Sequence, residues 1–172
     1  MTRNATTLAL LSDFGLQDGF VGVMKGVILQ TLMDLQSPVQ PVFLDISHEI
    51  PAHNITAGAW VLRQSAPYCP SATIFCSVVD PHVGNPQQRQ LLAYDPTQQH
   101  LYVGPDNGLF APGPNFLSAP TVRWYHLAAG SAFLKRLLSN TSYANTFYGR
   151  DLYAPLAATL LAQYALSNQV LQ

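Results

Sequence analysis

The sequence predicts an α/β fold built on a mixed, mainly parallel sheet flanked by helices. Three observations carry this expectation. In the first half, short apolar runs alternate with stretches of helical periodicity, the rhythm of strand–helix–strand units. Farther on, two strand-like runs flank a four-residue turn, so a hairpin makes the sheet mixed. The chain has 172 residues, 48% of them hydrophobic, enough for one substantial core. Residues 1–172 are therefore read as a single α/β domain.

Each element has its own signal. "TLALLSDF" (7–14) is an apolar run ending in an acid, a buried strand followed by a loop. "DGFVGVMKGVILQTLMDL" (18–35) places Phe20, Val23, Val27, Ile28 and Leu32 at helical spacing. Gly22 and Gly26 share a face of that helix, and each costs about 1 kcal/mol against Ala there. Close approach of another backbone is the expected return. "VFLDIS" (42–47) is a second strand, and "NITAGAWVLRQSA" (54–66) a second helix with Asn54 as N-cap. "TIFCSVVD" (73–80) is a third strand. "LLAYD" and "HLYVG" flank the turn "PTQQ" (96–99) and form the hairpin. "VRWYHL" (122–127) is another strand, "SAFLKRLLS" (131–139) a helix, and "DLYAPLAATLLAQYAL" (151–166) the last helix.

Composition removes several function classes. The formal net charge is −1, with no basic stripe, so a nucleic-acid partner is not expected. No apolar run is long enough to cross a bilayer. The N-terminal stretch has one basic residue and a short apolar run, which suits a first strand better than a signal peptide. Cys69 and Cys76 show no zinc spacing, and two cysteines fit a reducing cytoplasm. Charged residues are only 10%, against roughly 25% in an average soluble domain. A surface so poor in charge is compatible with burial in a homo-oligomer. There is no phosphate-binding glycine loop, no nucleophile elbow and no metal-ligand spacing, so no metal is expected.

In a sheet of this kind, ligands lie beyond the carboxyl ends of the strands. Asp13 and Asp18 follow the first strand, Asp45, Ser47 and His48 the second, and Asp80 the third. "GPDNG" (104–108) and "TFYGRD" (146–151) lie at later element ends. Bland roles compete with functional ones. Asp18 could cap a helix, Asp106 and Asn107 could shape a turn, and Asp151 could favour a helix N-terminus. Arg150 fits a helix start poorly unless it is paired. His100 and His126, in strand-like stretches, are read as structural.

Five ordered segments resemble one family. They are "LLSDFGLQDGFVGVMKGVI", "LDISHEIPAHNITAGAWVL", "SVVDPHVG", "YVGPDNGLF" and "TFYGRDLYAP". Together they look like the S-adenosyl-L-methionine (SAM) hydroxide adenosyltransferases, a family that also contains the SAM-dependent fluorinases and chlorinases. The resemblance runs from about residue 7 to 162 and implies a SAM-binding N-terminal domain. It also implies a trimer, and a C-terminal β-barrel domain that is expected to lie outside these 172 residues. SAM is the implied small-molecule substrate, with no cofactor beyond it and no metal. Water or halide attacks C5′ of the ribose, and methionine leaves.

The resemblance assigns roles residue by residue. Asp13 matches the acid that accepts hydrogen bonds from the ribose hydroxyls. Phe14, Asp18, His53, Asp106, Asn107 and Gly149 fall at substrate-binding positions. Asp80 matches the acid of the Asp–Arg–His set of the water-using members. Arg89 falls slightly beyond the usual place of the arginine, which implies a small insertion. Tyr148 stands where that set has its histidine. An unperturbed His titrates at about 6.5 and an unperturbed Tyr at about 10, so a phenol in place of the imidazole is a poor base at neutral pH.

Tyr148 resembles the halogenase branch, whereas Asp80 does not. A carboxylate about 4 Å from a halide repels it by roughly 4 kcal/mol at an effective dielectric near 20. That is about a thousandfold in affinity. Water is therefore the expected nucleophile, with Asp80, Arg89 and Tyr148 as the catalytic set. His82 replaces the glycine usual beside this acid and is a further candidate imidazole. The alternatives are a catalytically weak or inactive SAM- or adenosine-binding domain that needs a partner or the C-terminal domain and, behind it, a halogenase.

Overall fold

The computed structural model describes residues 7–127 and 146–170, with side chains of the last helix as far as residue 164. The helix predicted at 131–139 lies outside the described residues. Six strands form one sheet: β1 (Thr7–Ser12), β2 (Val42–Ser47), β3 (Ile74–Val78), β4 (Gln90–Asp95), β5 (His100–Pro105) and β6 (Arg123–His126). Their spatial order is β2–β1–β3–β5–β4–β6. The first four of that order run parallel, and β4 is antiparallel to both of its neighbours. Among the described residues the sheet is open and closes into no barrel. This is the mixed, mainly parallel architecture the sequence predicts.

The α-helices among the described residues are α1 (Phe20–Asp34), α2 (Ile55–Ser65) and α3 (Ala154–Val170). Successive side chains of a strand point to opposite faces, and this alternation splits the core in two. Leu8, Leu10, Ile74, Cys76 and Val103 pack with Met24 and Ile28 of α1 and Leu156 and Leu161 of α3. Ala9, Leu11, Phe75 and Tyr102 pack on the other side with Ala59 and Leu62 of α2 and with Leu109, Phe110 and Phe116. All five residues of β3 are buried, as expected of a parallel strand covered on both faces.

Local chemistry sets the helix ends. Asn54 caps α2, its side-chain oxygen accepting from Ala57 N–H at 2.9 Å. Arg63 sits in the last turn of α2, where a cation suits the dipole. The cap of α1 is Gly19, without a side-chain bond, so Asp18 is not its cap. The periodic stripe of α1 divides: Ile28 and Leu32 are buried, while Phe20 and Val23 face outward. Apolar residues lie on nearly every side of this helix, so periodicity marks the helix but not its inner face. A Cβ at Gly22 or Gly26 would meet nothing within 4 Å among the described residues. The backbone approach expected there is absent from them. It occurs instead at Gly104 in β5, where a Cβ would lie 2.2 Å from the Ser77 carbonyl oxygen of β3.

A π-helical turn, Gly149–Tyr153, leads into α3. It is tied to the sheet by the buried Tyr153 hydroxyl, which donates to the side-chain oxygen of Gln90 in β4. β1 has β2 on one side and β3 on the other, and the helices that follow β1 and β2 cover opposite faces. The chain therefore diverges at the carboxyl ends of β1 and β3. A crevice at such a switch point is where open α/β sheets bind ligands.

Candidate active site

Asp13 and Asp80 leave β1 and β3 at that divergence. Both line a cavity of about 240 Å³ together with Phe14, Ala52, His53, Val78, Val83, Thr146, Phe147, Tyr148 and Gly149. Four segments far apart in sequence thus meet in one place. Six predicted site residues are brought together there: Asp13, Phe14, His53, Asp80, Tyr148 and Gly149. Thr146 and Phe147 are additional walls, and their adjacency to Tyr148 in "TFYGRD" is the signal that could have found them.

Each side chain is held by identifiable neighbours. The Asp13 carboxylate accepts the backbone N–H of His53 at 2.8 Å. His53 itself has φ 63°, a left-handed conformation uncommon for a residue with a side chain. The left-handed turn therefore directs its N–H at Asp13. Phe14, Phe20 and Phe147 pack edge to face, with centroids 5.3–6.2 Å apart. A Cβ at Gly149 would come within 2.9 Å of Phe147 and 3.1 Å of Phe14. A larger residue there would force one of the rings to move. Arg150 forms a two-pronged ion pair with the buried Asp151, which satisfies the cation at this helix start.

Asp80 has the most perturbed carboxyl of the site. Burial pushes it above its ordinary value, the His82 N–H at 3.2 Å opposes this, and the charge of Asp13 adds to the rise. Its Oδ2 is buried and meets no hydrogen-bond partner among the described residues. A buried acceptor without a partner is costly, and a water molecule in the cavity would satisfy it. The His82 side chain is exposed and does not line the cavity.

The remaining predicted residues lie elsewhere. Asp18 is exposed in the β1–α1 loop. Arg89 is not brought to Asp80: its guanidinium bonds Asp106 at 2.8 Å, and Asp106 also bonds His126 at 3.1 Å. These three line a separate cavity of about 320 Å³ beside Trp124. Residues 79–89, between β3 and β4, form a largely exposed run of turns that places Asp80 at one end and Arg89 at the other. Asn107 does turn work, accepting from Leu109 N–H and donating to the Val79 carbonyl at 2.8 Å. His100 is buried between Tyr102 and the Pro70 carbonyl, a structural position as expected. No group of three or more His, Cys, Asp or Glu side chains able to hold a metal ion occurs among the described residues.

Known proteins share both the sequence and the shape. The family model described as the SAM hydroxide adenosyltransferase N-terminal domain matches residues 8–169. A curated (R)-S-adenosyl-L-methionine hydrolase of Methanocaldococcus jannaschii is 34% identical over 158 residues, which cover 90% of this chain and 52% of that protein. One from Thermus thermophilus is 35% identical over 151 residues, covering 87% and 54%. This chain therefore spans about half the length of the curated relatives it matches. A crystal structure of an uncharacterized conserved protein from Thermotoga maritima superposes with a TM-score of 0.73 at 27% identity, covering 90% of this chain and 54% of that one. A conserved hypothetical protein from Thermus thermophilus gives 0.61 at 29% identity, covering 91% and 53%. The chain belongs to the SAM hydroxide adenosyltransferase family, matching its N-terminal domain.

Proposed function

We propose that this chain binds SAM and hydrolyses it to adenosine and L-methionine. The observation that carries the reading is the convergence of Asp13, Asp80, Tyr148 and Gly149 on one crevice at the sheet's switch point. Asp13 accepts hydrogen bonds from the ribose 2′- and 3′-hydroxyls, for which a carboxylate offers two acceptors at fixed spacing. His53 helps fix the orientation of Asp13 through its backbone N–H. The phenylalanine walls exclude solvent around C5′. Water held by Asp80 Oδ2 attacks C5′. The C5′–S bond breaks, its electron pair passes to sulfur, and neutral methionine leaves. The attacking water gives its proton to Asp80 or solvent. Burial makes Asp80 a stronger base than an exposed aspartate, which suits this step. Tyr148 lines the same pocket and helps orient the water.

A cavity of about 240 Å³ is smaller than the roughly 300–1,000 Å³ of typical small-molecule sites. It suits the ribose and the reacting atoms. Adenine and the methionine tail then need further surface, which a neighbouring subunit of a homotrimer would supply in this reading. The domain is taken as one SAM-binding unit, working in the cytoplasm with its two thiols free.

The test is direct. The purified chain is incubated with SAM and a halide, and adenosine, methionine and any 5′-halo-adenosine are separated. Adenosine and methionine in equal amounts are expected, without halogenated product. SAM bound in calorimetry but not consumed would favour a second reading, a binding domain without turnover. The engagement of Arg89 by Asp106 specifically favours that alternative. Asp13→Ala is expected to weaken adenosine binding about 10- to 100-fold, the worth of hydrogen bonds to a charged acceptor. Calorimetric titration checks it.

A further inference from the structure

We propose that His48 is a positioning residue that holds the loop carrying Asp13 and Phe14; this rests on the reading just given. The loop leaves β1 after Ser12, and His48 grips it twice. Its backbone carbonyl accepts Gly15 N–H at 2.8 Å. Its ring Nδ1 meets Ser12 Oγ at 2.7 Å, with both side chains buried. On the far side Nε2 meets Asp45 Oδ1 at 3.2 Å, and the other oxygen of Asp45 accepts from Lys25 of α1 at 2.6 Å.

The chain of bonds has a direction. Burial alone would raise the Asp45 carboxyl, but the bonds from Lys25 and His48 outweigh it and hold it below its ordinary value. As a carboxylate Asp45 only accepts, so Nε2 carries the proton it shares. With a single ring proton there, Nδ1 accepts from the Ser12 hydroxyl. The lone pairs of Ser12 Oγ then face Phe14 N–H, 3.4 Å away. Lys25, Asp45, His48 and Ser12 thus fix the two residues at which the loop enters the cavity.

Ser12, His48 and Asp45 repeat the order of groups in a nucleophilic triad. Ser12 is 1% exposed and lines neither cavity, so its hydroxyl cannot reach a substrate. The role of the chain is geometric. Small displacements of a binding group are enough to cost affinity and rate, and Asp13 is one residue beyond the clamp.

The test compares His48→Leu, which removes both ring contacts, with His48→Asn, whose side-chain oxygen can accept from Ser12 near the Nδ1 position. Amide hydrogen exchange at Phe14 and Gly15 is read on the free proteins, and SAM and adenosine affinities by calorimetry. His48→Leu is expected to speed exchange at both amides and weaken SAM binding, each by about tenfold. His48→Asn is expected to restore most of both, even where its melting temperature stays low. Unchanged exchange in His48→Leu would overturn the proposal, as would an Asn variant no better than Leu. Should His48→Leu fail to fold, Ser12→Ala removes only the hydroxyl and is expected to speed exchange at Phe14. If the wild-type chain binds neither SAM nor adenosine, the functional reading fails, and the exchange data still decide the role of His48.

Discussion

Replacing Asp80 by Asn should lower the SAM hydrolysis proposed for this chain by about 10²- to 10⁴-fold, the usual worth of a positioned proton acceptor. SAM affinity should change far less, because Asp13 rather than Asp80 is assigned the ribose. An Asn variant with the wild-type rate would remove Asp80 from the water site. The wild-type rate should also fall on acidification, as protonation takes away the acceptor. Burial raises this carboxyl, so that fall comes at a higher pH than the ordinary value of 3.8 would give. Stability should move the other way. The folded-state value lies above the unfolded one, so this group's contribution is fully present below 3.8 and is lost as pH rises through the raised value. At neutral pH the ionised carboxylate opposes folding. Asp80→Asn should therefore melt at a higher temperature than wild type at pH 7, with the advantage vanishing below about pH 3.8. Thermal melts at the two pH values check the sign.

Gly104→Ala should be the most damaging small substitution in the sheet. The added Cβ would lie 2.2 Å from the Ser77 carbonyl oxygen and 2.9 Å from the Phe110 ring. The ring could turn aside, but the carbonyl belongs to a central strand paired on both sides. Overpacking of this kind costs about 1–3 kcal/mol, and a backbone clash belongs at the upper end. At about 3 kcal/mol the melting temperature of a chain this size should fall by roughly 6–12 °C. Gly22→Ala is the contrast. Its added Cβ meets nothing within 4 Å among the described residues, and it gains about 1 kcal/mol of helix propensity. Its melting temperature should rise by a few degrees, about 2–4 °C.

The strands and helices of the described residues were legible because each carries a local signal. Continuous apolar runs marked β1 and β3, turn chemistry marked the β4–β5 hairpin, and Asn54 marked the start of α2. Asp13 and Asp80 follow apolar strand-like runs, and the family resemblance separates them from the other acids at element ends. Non-local facts were not legible. The inner face of α1 was hidden by apolar residues on almost every side of the helix. Gly104 gave no warning, since its reason is the carbonyl of another strand. Ser12 carried no signal, and His48 stood out only as a polar residue at a strand end, because the two partners lie 36 positions apart. The place of Arg89 depends on the path of a loop, which neither periodicity nor propensity fixes.

That loop, residues 79–89, has a consequence for how the chemistry can change over time. It lies largely on the surface and carries Asp80 at one end and Arg89 at the other, while the paired strands on either side hold the sheet together. Insertions and deletions in such a segment leave the core almost untouched. A lineage can therefore bring a guanidinium toward the acid proposed to hold water, or take it away, by altering the loop's length alone. The length of this exposed turn run and the pairing of the strands around it are then set by separate stretches of chain, and the first can vary with little effect on the second.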